Sequence, residues 1–217
     1  MRTLYHFRLS PYSRRVRLAL AHKGLDCELR DARQDPALLE EARNLVPFCT
    51  VPVLVDNGRA MGDSTAIVSW LERAYPDAPA LWPRGADDAW GAFQIAELVD
   101  LVQSVVVDVG TRYFALRADP AWDGLKREML GRADKAAAGL AARVEALSGA
   151  RSTIASSGWS AADMWLLTLV LWFEGMPARA PTTPNIAQVL SLGLTLPATL
   201  SRWADAHRDR SDVRALG

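Results

Sequence analysis

With 217 residues, half of them hydrophobic and 23% charged, the chain can bury a real core, and its composition excludes a disordered segment. The 25 Lys and Arg offset the 25 Asp and Glu, so the formal net charge is zero, which excludes a general nucleic-acid binder. Two cysteines, Cys27 and Cys49, exclude a disulfide framework, and no apolar run approaches the ~20 residues that span a membrane. The expected location is cytoplasmic, with neither membrane nor nucleic acid as a partner.

In chain order, Thr3 to Phe7 is a run of β-formers and reads as a strand. Pro11 to Lys23 carries Val16, Ala19 and Leu20 at helical spacing, with Gly24 where a helix ends. Asp26 to Asp31 reads as a second strand and Pro36 to Leu45 as a helix. Val53–Val55 and Arg59–Met61 are short strands joined by "DNG", a hairpin signal. Ser64 to Ala74 returns to the helical period. The order β-α-β-α-β-β-α predicts a small mixed sheet covered by helices.

Three prolines and a glycine mark Tyr75 to Asp88 as a connector. Beyond it strand signals almost vanish. Asp87–Leu116, Trp122–Leu147, Ser160–Phe173, Pro184–Leu192 and Pro197–His207 all read as helices. The predicted organisation is an α/β domain over residues 1–76, a linker at 77–86 and an all-helical domain over 87–217.

Two stretches carry chemistry. In "RLSPYSRRVRLAL", Arg8 to Leu20, Ser10 stands where a helix begins. Serine is a favoured N-cap and proline a favoured first helical residue, so capping alone explains the pattern. The same place has unpaired N–H groups and the positive end of the helix dipole, which stabilise an anion. A serine hydroxyl there can donate to a bound thiolate. Arg14, Arg15 and Arg17 add charge to that helix and read as solvated. The second stretch runs from Cys49 to Leu71. A cis Val51–Pro52 bond would turn the chain and leave the backbone of Val51 to pair with an extended peptide. Asp63 and Ser64 then open a helix, either as a cap or as an acceptor for an ammonium beside donors for a carboxylate.

The sequence "SPYSRRVRLAL", followed by "TVPVL", a hairpin, "DSTAI" and an all-helical second half, resembles the cytosolic glutathione transferase superfamily over the whole chain. In "GWSAADMWLL", Ser160 and Asp163 match a structural capping signature of that family. The resemblance implies a thioredoxin-like N-terminal domain that binds glutathione as co-substrate, with no metal. By it, Ser10 aligns with the catalytic serine of the serine-type, theta- and zeta-like classes. Thr50, Val51 and Pro52 meet the cysteinyl and glycyl parts of glutathione, Val51 by its backbone, and Asp63 and Ser64 hold the γ-glutamyl end. Thr50 stands where relatives commonly carry Lys or Gln, and Cys49 where glycine is frequent. Tyr5 lies near the catalytic position of tyrosine-type classes, although a strand tyrosine more often packs.

The resemblance further implies a homodimer in which Asp100 or Glu97 reaches the partner's ligand. It also implies a second site, between the domains, for a small hydrophobic electrophile. On the helix from Asp87, Ser104, Asp108, Thr111 and Tyr113 are its candidates by spacing. The expected activity is transfer of glutathione to that electrophile. The alternatives are a glutathione-dependent isomerase or lyase of zeta-like type, or a non-catalytic binding protein resembling the stringent starvation proteins.

Overall fold

In the computed structural model the described residues are all but Phe48, Cys49, Ala150, Leu192 and Gly217. The N-terminal part follows the predicted order: β1 (Arg2–His6), α1 (Pro11–His22), β2 (Glu28–Asp31), α2 (Pro36–Leu45), β3 (Val53–Asp56), β4 (Arg59–Gly62) and α3 (Ser64–Ala74). Local chemistry fixes these boundaries. Ser10, Asp35 and Asp63 each accept a first-turn N–H at the start of their helices. Gly24 takes a positive φ of 62° just past α1. Asn57 and Gly58, at φ 50° and 76°, make the tight hairpin turn between β3 and β4.

The four strands lie in the order β2-β1-β3-β4, with β1 parallel to β2 and antiparallel to β3, and β4 antiparallel to β3. This mixed sheet with its helices is the expected thioredoxin-like arrangement. Side chains alternate across it. Tyr5 and Val53, paired between β1 and β3, face Ala42 and Val46 of the α2 side. Their neighbours Leu4 and Leu54 turn to the opposite face and are fully buried.

The remaining helices are α4 (Ala86–Leu116), α5 (Trp122–Ser148), α6 (Ala161–Glu174), α7 (Met176–Arg179), α8 (Pro184–Ser191), α9 (Ala198–Asp205) and α10 (Ser211–Arg214). The short α7 and α10 and the 3-10 turn Ala180–Thr182 add to the sequence reading, which runs from Phe173 to Pro184 and ends at His207 without them. The end of the expected Pro184–Leu192 helix lies outside the described residues. Helix α6 is apolar on every side and buried from Ala161 to Val170, as a central helix must be. It packs against α4, which also packs against α5. In the first turn of α6, the Asp163 carboxylate accepts N–H groups from Ser160 (2.9 Å) and Ile154 (2.8 Å) and the Ser160 hydroxyl at 2.8 Å. Burial pushes this carboxyl up to about 6 despite those donors.

The chain forms two compact units, Met1–Gly85 with His207–Gly217, and Ala86–Ala206. Residues 77–85 join the first unit because α1 and α3 hold their backbone. Buried Lys23 donates to Tyr75 O and Pro79 O at 3.1 and 3.2 Å, and Glu72 accepts the Leu81 N–H at 2.9 Å. The last residues return to that unit too, where Arg17 donates to the carbonyls of Ala215 (2.6 Å) and Leu216 (3.1 Å).

Candidate active site

The loop between β1 and α1 is held by α1 itself. Ser10 N–H donates to Phe7 O at 3.0 Å, and Arg14 N–H donates to Ser10 O at 2.9 Å. Ser10 Oγ accepts the Ser13 N–H at 3.3 Å, the expected cap. Ser13, fully buried, turns its own Oγ back to accept the Phe7 N–H at 3.3 Å, and Arg14 Nε donates to Arg8 O at 3.3 Å. Ser10 is half-buried, and among the described residues nothing accepts its hydroxyl proton. The cap therefore occupies the oxygen as an acceptor and leaves the proton to donate, beside the positive end of α1. Neither nearby histidine pairs with Ser10. His6 is buried, with Nδ1 making no hydrogen bond among the described residues, and burial followed by the Arg17 charge lowers its pKa. His22 Nε2 lies 3.0 Å from Ala80 O.

Two of the three arginines of α1 correct the sequence reading, which has them solvated. Arg14 and Arg15 are 8% and 0% exposed, and Arg15 carries its guanidinium over the Tyr12 ring at 5.2 Å. The Arg8 carbonyl takes the charged end of Arg14, and the Tyr12 ring face that of Arg15.

After β4 the chain reaches Asp63 at φ 68°, ψ 125°, a conformation costing a non-glycine residue about 1–3 kcal/mol. Asp63 Oδ1 accepts the Ala66 N–H at 2.8 Å, and its exposed carboxylate has a second oxygen to offer. Ser64 is 2% exposed, and its Oγ has no hydrogen-bond partner among the described residues. A buried hydroxyl without a partner is costly, and a polar ligand group would complete it. The Val51–Pro52 bond is cis, as expected. Pro52 is buried, Val51 packs beside Tyr5 and Val53, and Thr50 is exposed. Cys49 lies outside the described residues. Asp63, Ser64 and Thr50–Pro52 thus offer carboxylate, hydroxyl and backbone groups, a donor and acceptor set suited to a small peptide bearing both ammonium and carboxylate.

The Tyr5 hydroxyl is engaged elsewhere, bonded to Glu41 and receiving Arg30 Nη1 at 3.0 Å. Burial, then the Glu41 bond, raises its pKa. In the second unit, Ser104, Asp108 and Thr111 share one side of α4. At ~100° per residue Tyr113 falls on the opposite side. Ser104 and Thr111 return their hydroxyls to α4 carbonyls, Asp108 pairs with Arg112 at 2.7 Å, and Tyr113 meets Phe114 edge-on. Asp100 accepts the Trp165 Nε1–H at 3.2 Å, and Glu97 is exposed. Ser13 is the residue missed by the sequence reading. Its signal is the S-x-x-S spacing from N-cap to third helical residue, a capping-box position. Among the described residues, no group of three or more His, Cys, Asp or Glu side chains comes together to hold a metal ion.

Residues 4–79 match the family model of the glutathione S-transferase N-terminal domain. The chain carries a glutathione S-transferase N-terminal domain. It is similar to a probable glutathione S-transferase of Oryza sativa subsp. japonica, 32% identical over 124 residues that cover 54% of this chain and 52% of the rice protein. The chain thus spans about half the length of the curated relatives it matches first. Its structure resembles that of a Methylobacterium radiotolerans glutathione S-transferase in complex with glutathione sulfonate, with a TM-score of 0.74, 26% identity and coverage of 99% of this chain and 93% of that one. It also resembles the maleylacetoacetate isomerase of Anaeromyxobacter dehalogenans with glutathione bound in its active site (TM-score 0.64, 26% identity, 100% and 94% coverage). Among the described residues, no helix is long and apolar enough to cross a membrane.

Proposed function

We propose that this protein binds glutathione in its first unit, stabilises the thiolate with the Ser10 hydroxyl and transfers it to a small hydrophobic electrophile in the cytoplasm. The observation that carries this reading is the Ser10 hydroxyl at the start of α1, capped through its oxygen and left, among the described residues, with a free proton. A donor and a helix N-terminus aimed at one sulfur favour the thiolate over the thiol. Asp63 takes the ammonium of the γ-glutamyl end, and the unpartnered Ser64 hydroxyl meets its carboxylate. The Val51 backbone pairs with the cysteinyl unit, and Thr50 donates to the glycyl carboxylate. Binding orients the sulfur, and transfer then depends on proximity to the electrophile. Ser104, Asp108 and Thr111 offer a polar stripe on α4 for that second substrate, with Tyr113 turned away from them. The active form is a twofold homodimer.

A second reading is favoured by the likeness to the maleylacetoacetate isomerase. The same thiolate would add to a conjugated cis alkene and leave after bond rotation, returning glutathione unchanged. Calorimetric titration with glutathione, then turnover of an aryl halide against a cis-enone, separates the readings. Conjugate formation supports transfer, and isomerisation without glutathione consumption supports the second. Absence of glutathione binding would contradict both and favour a non-catalytic binding role.

A further inference from the structure

Helix α2 meets the sheet through one small apolar cluster, to which it gives Ala42 and the partly buried Leu38, and through the polar contacts of Glu41. Along Pro36–Leu45 only Ala42 is fully buried, and Leu45 is 41% exposed. What fixes the helix is a cluster on Tyr5. The Tyr5 ring lies in the small apolar cluster with Ala42 and Val46, and its hydroxyl bonds Glu41 of α2. Arg30 of β2 closes the ring, donating to Tyr5 OH at 3.0 Å and to Glu41 Oε1 at 3.2 Å, with its guanidinium 5.5 Å from the Tyr5 ring centre. Glu28 orients Arg30 from the other side at 3.0 Å. Tyr5 is 3% exposed while Glu41 is about half exposed, so the catch has one buried member and a solvent-facing ion pair.

Thr50 stands five positions after the last residue of α2, and Val51 packs against the same cluster as Tyr5. We infer that Tyr5, through Glu41 and Arg30, is a positioning residue. It latches α2 and so sets the Thr50–Pro52 segment for glutathione, rather than acting on the thiol. The inference rests on the glutathione site proposed above. A helix with little apolar anchorage opens at low free-energy cost when its polar catch is removed, and the exposed half of the catch weakens with salt.

The test uses full-length protein with Tyr5→Phe, which keeps the ring in its cluster and removes the hydroxyl, and Glu41→Gln as an independent break. Amide exchange over residues 38–45 should quicken by about tenfold or more, as expected for local opening. The dissociation constant for glutathione should rise about tenfold, the scale of one charge-assisted hydrogen bond. Turnover at saturating glutathione should stay within about twofold, because uniform binding is what is lost. Ser10→Ala should show the reverse pattern, with slow turnover and unchanged exchange in α2. Unchanged α2 exchange and affinity in both latch variants would overturn the inference. So would a fall in saturated turnover with α2 exchange intact, which would place Tyr5 in the chemistry. If wild-type protein fails to bind glutathione, the proposed function falls, while exchange in α2 still decides whether the catch exists.

Discussion

Ser13 donates its backbone N–H to the Ser10 hydroxyl oxygen at 3.3 Å, while its own hydroxyl oxygen accepts the Phe7 N–H at 3.3 Å. One fully buried residue thereby ties both ends of the loop that presents Ser10. Replacing Ser13 by Ala leaves the Phe7 N–H without that acceptor, a loss of about 1–3 kcal/mol for a buried polar group. We expect chemical denaturation to register it, together with reduced turnover and glutathione affinity within a few-fold of wild type. Wild-type stability and turnover would mean that the loop needs no such tie.

Asp63 and Ser64 should separate binding from stability. Asp63→Asn keeps the acceptor for the Ala66 N–H and a residue type that tolerates positive φ, so the melting temperature should hardly move. It removes the charge proposed to face an ammonium, and glutathione affinity should fall about ten- to a hundredfold. Ser64→Ala removes a buried hydroxyl with no partner among the described residues, so the free protein should be equally or more stable while glutathione binds more weakly. Calorimetric titration beside thermal melting decides. A lower melting temperature with unchanged affinity would make both residues structural.

The elements were legible where local chemistry decides them. The cap residues Ser10 and Asp63, the Asn57–Gly58 turn and the apolar period of the helices all mark boundaries in the sequence, and α2 and α3 begin and end where the pattern puts them. The cis Val51–Pro52 bond followed from the family resemblance, since proline alone allows either isomer. What stayed hidden depends on partners distant in the chain. Nothing local to Arg14 or Arg15 tells that they are buried. The return of residues 207–217 to the first unit hangs on Arg17, about two hundred positions away. Asp100 reads as a polar residue free to reach a partner, yet it accepts from Trp165. The empty hydrogen-bonding capacity of Ser64 is likewise a property of the packed state.

Asp163 gives the second unit a pH signature. Its folded-state pKa of about 6 lies above the ordinary 3.8, so the folded protein holds this proton more tightly than the unfolded chain. The stability it contributes is complete below the unfolded value and is lost as pH rises through about 6. Asp163→Asn removes that titration. It also turns an amide N–H toward a donor, since Ile154 N–H and Ser160 N–H occupy different oxygens, costing about 1–3 kcal/mol. We expect the stability gap between wild type and variant, from urea unfolding, to shrink between pH 4 and 6 (the range of the cited shift) and then to level off. A gap that widens with pH would mean the three donors dominate burial.

Trp90 and Phe93 are 69% and 54% exposed, one turn apart near the start of α4. Two large rings on one flank are unusual for a solvated helix and suit a self-complementary contact. Light scattering should find a dimer at micromolar protein, and Trp90→Glu with Phe93→Glu should yield a monomer. A wild-type monomer would remove the cross-subunit role expected of Asp100 or Glu97.

The most direct measurement is thiolate absorbance of glutathione bound to saturation, followed against pH for wild type and Ser10→Ala. We expect the bound thiol to ionise clearly below the ~8.5 of a free thiol and the variant to move it back up, with a cap loss of about 0.5–2 kcal/mol in stability. Equal ionisation in both proteins, or no bound glutathione in wild type, would contradict thiol activation by Ser10.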